Sequence, residues 1–262
     1  VRKYGKIRLI SDDINSWFLM GSPAPLLSIM AAYWLFVLKI GPSLMNKRSP
    51  FTLRNVLAVY NVVQILLSLY LVWLVSIYRI ECVSGINRQI DNNCTKCYFG
   101  AYVYFIAKVT ELLDTVFFIL RKKYNQASFL HVYHHSLTAI SAWTILKYEP
   151  NFNTIIFLGT LNSFVHVVMY TYYALSAYPQ LAKYLWWKKY ITKLQLVQFV
   201  IVLAHLIIEY KITKCKPSNV IMAVILFNCV LFLFLFSNFY QKTYNKNKPT
   251  NGITRTVENK VD

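Results

Sequence analysis

Residues His131-Val132-Tyr133-His134-His135 decide how the rest of this chain is read. Three of the protein's five histidines fall inside this stretch, in surroundings apolar enough for a membrane interior. On an α-helix, positions i, i+3 and i+4 share one face, so three imidazoles project in the same direction. Ionisable side chains are costly in a bilayer and mark functional sites or paired groups. The cluster therefore predicts a helix whose polar face is turned from lipid toward a reaction site.

Working outward, the chain is 56% hydrophobic over 262 residues, against about 45–50% in soluble domains. The excess comes in blocks near the 20-residue length that crosses a bilayer as helix. The blocks are residues 23–40, 56–80, 98–120, 129–146, 154–175, 190–210 and 220–239. Backbone in lipid must satisfy its own hydrogen bonds, so the expected fold is an all-α integral membrane protein with about seven transmembrane helices. Residues 1–240 form one membrane domain on this reading, and 241–262 a polar cytosolic tail without fixed structure. Gly41-Pro42 is expected to stop the first helix. The stretch Val1 to Asp13 is polar and holds no apolar core of a cleavable leader.

The net charge is +18, carried mostly in the connections. Without a compact basic soluble domain, that charge reads as loop bias and attraction to anionic headgroups, not nucleic-acid binding. Cations are denser on the side holding Lys47, Arg48, Arg121, Lys122, Lys123, Lys183, Lys188, Lys189 and the C-terminal tail. That side is expected in the cytosol, which leaves the N-terminus lumenal. The loops with Cys97 and Cys215 then fall together on the far side, where a disulfide persists. A Cys97–Cys215 bridge is expected, with Cys94 as an alternative to Cys97. Cys229 reads as a small buried hydrophobe.

Three other spans carry polar stripes. The third holds Lys108, Glu111, Asp114 and Thr115 at spacings of one helical face. They form either a salt-bridged knot between helices or a shell that orients the histidines. The fifth holds Asn162, His166, Tyr170 and Tyr173 on one face, with Tyr172 off it. The sixth holds Thr192, Gln195 and Gln198, and a deeper His205 that reads as structural.

Three chemistries fit. One metal could be held by His131, His134 or His135 with His166, as in a histidine-box lipid enzyme. A neutral imidazole could attack a thioester covalently. A histidine could act as general base at a developing carbanion. A non-enzymatic seven-helix transporter or receptor is the rival, but it has no need of an imidazole cluster beside a carboxylate helix, and no internal repeat is found.

The stripes resemble the ELO family of very-long-chain fatty acid elongases, the 3-ketoacyl-CoA synthases of the endoplasmic reticulum. Lys108-x-x-Glu111-x-x-Asp114-Thr115, His131-x-x-His134-His135, Asn162-x-x-x-His166-x-x-Met169-Tyr170-x-Tyr172-Tyr173 and Thr192-x-x-Gln195-x-x-Gln198 match that family's motifs in order. The resemblance runs from about Trp17 to Tyr240. It implies an acyltransferase of the endoplasmic reticulum membrane that joins acyl-CoA to malonyl-CoA, releasing carbon dioxide and CoA and requiring no cofactor or metal. It points to His134 as the acyl carrier, with His135, His166 and Asn162 assisting and His131 in support. Glu111 and Asp114 would orient the box, with Lys108, Thr115, Tyr170, Tyr173, Gln195 and Gln198 around it. CoA phosphates would be drawn by Arg121, Lys122, Lys123, Lys183, Lys188 or Lys189. Implied partners are membrane lipid, the reductases and dehydratase of the elongation cycle, and a second copy of the chain. Gln126 resembles members that handle polyunsaturated or very long chains.

Overall fold

The computed structural model describes residues 14–83, 90–148, 152–212 and 219–245. Every regular element among them is helical. In chain order they are α1 (Ala24–Asn46), α2 (Arg54–Val83), α3 (Ile90–Thr110), α4 (Leu112–Leu120), α5 (Phe129–Tyr148), α6 (Phe152–Ser176), α7 (Lys188–Ile212) and α8 (Asn219–Tyr240). Among the described residues, four helices are long and apolar enough to cross a membrane: Ala24–Asn46, Arg54–Leu74, Lys188–Ile208 and Asn219–Tyr244. The helices outside that set, α3 to α6, carry four of the five histidines, and the α3–α4 stretch carries the buried charges Lys108, Glu111 and Asp114. The expected Cys97–Cys215 bridge, and the alternative through Cys94, lie outside the described residues. Cys229 is a buried free thiol.

The helices close a ring. α2 packs along α6, α6 on α7, α7 on α8, α8 on α5, and α5 on α3, which returns to α2 and α6. α1 lies outside the ring, in the groove between α3–α4 and α5. Its Met30, Tyr33 and Val37 join Phe105, Leu112, Ala139 and Trp143 in the largest apolar cluster. Two polar rivets hold it there: Tyr33 Oη to Thr115 Oγ1 at 2.8 Å and Trp34 Nε1 donating to Ser136 Oγ at 2.9 Å. Hydroxyls elsewhere in the bundle, such as Thr160 and Ser163 of α6, donate to carbonyls one turn back, which satisfies them without water.

Gly41-Pro42 does not stop α1. A wider turn at Phe36–Ile40, with Gly41 N–H donating to Phe36 O, absorbs the proline, and helix resumes to Asn46. Glycine is needed here because a Cβ would meet Ile119 Cγ2 at 2.8 Å and Phe36 O at 2.9 Å, where α1 touches α4. The helical path at the other end also runs past the expected boundary at 240, through a wide turn at Gln241–Asn245.

α3 and α4 are two parts of one rod, interrupted at Glu111. Glu111 N–H still donates to Ala107 O at 2.9 Å, but Asp114 N–H reaches only Glu111 O at 3.1 Å, a tighter turn. α4 ends in a Schellman motif: Lys123 N–H donates to Phe118 O at 2.7 Å and Lys122 N–H to Ile119 O at 2.9 Å. Lys122 takes the left-handed position at φ 55° that glycine usually fills. The Ser128 hydroxyl then caps α5, accepting from His131 N–H at 3.4 Å, which starts the helix directly at the histidine stretch.

Candidate active site

The ring encloses a cavity of about 680 Å³. His131, His134 and His135 reach it from α5, and Asn162 and His166 from α6, so all five sequence-predicted catalytic candidates line one space. Asp114, Tyr173, Gln195 and Gln198 line it as well. Lys108, Glu111, Thr115 and Tyr170 stand behind the wall, each no more than 2% exposed.

Behind the imidazoles lies one hydrogen-bonded cluster. Lys108 Nζ donates to both oxygens of Glu111, at 2.7 and 2.9 Å, and to Asn162 Oδ1 at 2.7 Å. Tyr104 Oη adds a bond to the same Asn162 oxygen at 3.3 Å. On its other side Glu111 Oε1 lies 3.1 Å from His166 Nδ1, and Oε2 lies 3.8 Å from His135 Nδ1. The two readings of the third-span stripe are thus one arrangement: the Lys108–Glu111 pair is buried and balanced, and its carboxylate also orients His166. A carboxylate only accepts, so the proton of His166 sits on Nδ1 and leaves the Nε2 lone pair free. Asn162, with its oxygen taken twice, keeps its Nδ2 donors for the cavity.

Asp114 does not touch the histidine stretch. Its carboxylate accepts from Tyr170 Oη at 2.7 Å, three residues toward the chamber mouth from Glu111. His134 makes ring contacts only: 5.0 Å to Phe232, 6.3 Å to Phe236 and 5.3 Å to His135, between ring centroids. His131 lies between Phe118 and His135 with tilted rings, at 5.1 and 4.2 Å between centroids. Buried His131 Nε2 and His135 Nδ1 have no hydrogen-bond partner among the described residues. His205 lies away from the cavity and stacks on Phe157 at 3.9 Å. Among the described residues, no group of three or more His, Cys, Asp and Glu side chains is arranged to hold a metal.

Of the six cations expected to attract phosphate, Arg121, Lys123 and Lys188 line the cavity. Lys122 is turned away by its left-handed backbone, which places its neighbours Arg121 and Lys123 on the cavity side. Lys183 and Lys189 lie over the rings of Tyr184 and Tyr190, at 4.9 and 5.1 Å. Gln126 lines the cavity from the connection between α4 and α5. Tyr172, read as off the α6 face, also lines it, because Tyr172 and Tyr173 diverge around the cavity end of the helix. Asn61 of α2 and Thr243 and Tyr244 after α8 are further lining residues that the sequence reading passed over. Asn61 and Gln64 fall one turn apart inside an apolar span, a spacing that could have drawn notice to that face.

An imidazole-lined chamber, backed by a buried lysine–glutamate pair and closed by membrane-type helices, defines an enzyme working inside a helical membrane bundle. The model of the ELO family, described as GNS1/SUR4, matches residues 18–252. The chain belongs to this family. It is 42% identical to very long chain fatty acid elongase 1 of Mus musculus, over 90% of this chain and 86% of the relative. It is 41% identical to elongase 4 of the same species, over 95% and 83%, and 40% identical to elongase 7 of Drosophila melanogaster, over 87% and 71%.

Proposed function

We propose that this protein catalyses the condensing step of very-long-chain fatty acid elongation, joining an acyl-CoA to malonyl-CoA to give 3-ketoacyl-CoA, carbon dioxide and free CoA. One observation carries the reading: His134, His135, His166 and Asn162 converge from two helices on one cavity that Arg121, Lys123 and Lys188 also line. The membership in a family of elongases supports it.

The His134 ring faces the cavity with no protein hydrogen bond among the described residues, so its lone pair is available to a thioester carbonyl. Attack forms an N–C bond and breaks the C–S bond, and CoA leaves as the thiol with the proton lost from the attacking imidazole. Malonyl-CoA then enters. Its carboxylate C–C bond breaks, carbon dioxide departs, and the electron pair becomes the thioester enolate. The enolate attacks the acyl carbon, the N–C bond breaks, and the released imidazole takes up the one proton that the overall condensation consumes. Asn162 Nδ2 donates to the oxyanions of these steps, and His135 and His166 assist malonyl decarboxylation. The acyl tail lies toward Leu130, Phe199 and Phe236, apolar residues beside His134 that keep it from water. As written, the chemistry draws on no cofactor.

On this reading α1, α2, the α3–α4 rod, α5, α6, α7 and α8 all cross the endoplasmic reticulum membrane, with the N-terminus lumenal and the C-terminus cytosolic. The cation distribution supports that orientation. Reductases and a dehydratase would consume the 3-keto product. The test is purified protein given acyl-CoA of several chain lengths with radiolabelled malonyl-CoA. The expected result is a 3-ketoacyl-CoA two carbons longer than the acceptor. No incorporation at any chain length would overturn the reading, and activity lost to chelator and restored by one metal would favour metal chemistry.

A further inference from the structure

In the apolar run of α2 from Val56 to Leu67, the interruptions are Tyr60, Asn61 and Gln64. Two of these are spent on packing. Tyr60 Oη donates to Thr110 O at 3.3 Å and Gln64 Nε2 donates to Thr110 Oγ1 at 3.0 Å. Together they pin α2 to α3 and set its rotation. That rotation turns Leu57 and Asn61, one helical turn apart, into the cavity. Asn61 is 4% exposed and makes no hydrogen bond with any described residue. Its carboxamide offers two donors and an acceptor to the cavity. An asparagine serving as glue between helices would be bonded across the interface, as its neighbours Tyr60 and Gln64 are. Asn61 is left for whatever fills the cavity.

Its depth indicates what that is. Asn61 lies seven residues inside Arg54, Asp114 seven inside Arg121, and Gln195 seven inside Lys188. At 1.5 Å per residue, each is about 10 Å in from the basic end of its helix. Glu111, which touches His166 and faces His135, is ten residues from Arg121, about 15 Å in. A collar of Asn61, Asp114 and Gln195 therefore stands between the cations and the His135–His166 pair. Its one charged member, Asp114, is a carboxylate, which repels phosphate and the malonyl carboxylate alike. The collar suits a neutral chain with amide donors and acceptors. In a CoA thioester, the part between phosphates and sulfur is such a chain: the pantetheine arm with its secondary amides.

We propose that Asn61 binds the pantetheine arm of both CoA thioesters, its carboxamide pairing with an arm amide. This rests on the condensing reading above.

The test uses the full chain in lipid nanodiscs, titrated calorimetrically with CoA and with adenosine 3′,5′-bisphosphate, the head of CoA without the arm. Asn61→Leu is expected to weaken CoA about tenfold and leave the bisphosphate unchanged. The KM values for acyl-CoA and malonyl-CoA should rise by one shared factor, with kcat within about twofold. Without ligand, Asn61→Leu should melt at or above the wild-type temperature, because an unpaired buried amide has been removed. Asn61→Ser, which needs no repacking, should lose the same factor for CoA. Wild-type affinity for CoA in both variants would overturn the proposal. So would equal loss for CoA and bisphosphate, a rise in KM for malonyl-CoA alone, or a lowered melting point in the unliganded variants. Failure of the wild type to bind CoA or form product would contradict the condensing reading itself; normal wild-type behaviour matched by Asn61→Leu would contradict only the role of Asn61.

Discussion

The wall behind the imidazoles and the wall that faces the cavity follow opposite rules. Behind, Glu111 accepts from Lys108 and faces His166, and Asn162 Oδ1 accepts from Lys108 and Tyr104. In front, the His134 ring and the Asn61 carboxamide line the cavity and make no side-chain hydrogen bond with any described residue. In a low-dielectric interior a satisfied network holds geometry, whereas an unmet polar atom is a standing cost. The difference teaches where to look for chemistry: the cost is tolerated on the side that substrate will fill.

The sharpest way to break this contrast is Glu111→Gln. It leaves the Lys108 charge buried without its counter-ion, an expected loss of about 3–5 kcal/mol read as a lower melting temperature. Adding Lys108→Met should recover most of that stability while turnover stays low, because His166 has lost the carboxylate that sets its tautomer. If the double variant regained activity, Glu111 would be a packing residue only. His166→Gln probes the front wall in the opposite sense. Turnover should fall about 10²–10⁴-fold with the melting temperature nearly unchanged. A matching fall in stability would move His166 into the structural network.

Tyr170→Phe tests an intermediate case. Asp114 lines the cavity yet takes a bond from Tyr170 behind it. Removing that donor should cost about 1–3 kcal/mol in thermal or chemical unfolding, less than the loss of Glu111. The smallest effect is outside both walls. Lys122→Gly relieves a left-handed lysine at φ 55° and should stabilise by no more than about 1 kcal/mol, with KM for CoA thioesters unchanged, because Lys122 does not line the cavity. A raised KM would place Lys122 among the phosphate contacts.

These contrasts also mark what could be read from residue order. Helical spacing alone puts His131, His134 and His135 on one face, and Asn162 and His166 on another, and both faces meet the cavity. The seven apolar blocks locate α2 and α5 to α8 within about three residues, while α1 runs six residues past its expected end and α3 starts eight before the 98–120 block, which α3 and α4 share. Spacing does not say which members of a stripe look inward. Asp114 and Glu111 share a face, but the tightened turn between them sends one to Tyr170 and the other to His166. Gly41-Pro42 looks like a helix stop because proline lacks a donor, and nothing local reveals that a wide turn will absorb it. The one-turn spacing of Asn61 and Gln64 marks a polar face on α2, but only the structure shows that Gln64 is bonded to Thr110 while Asn61 is turned to the cavity.

The central claim is that His134 carries the acyl group. The full-length enzyme should be incubated with acyl-CoA in the absence of malonyl-CoA, and then examined by intact mass and peptide mapping. The account predicts a mass gain of one acyl group, one CoA released per adduct, and the modification on the peptide holding His134. It also predicts discharge of the adduct on adding malonyl-CoA. An unmodified enzyme that nonetheless elongates the acyl-CoA, or an adduct retained in His134→Ala, would contradict it.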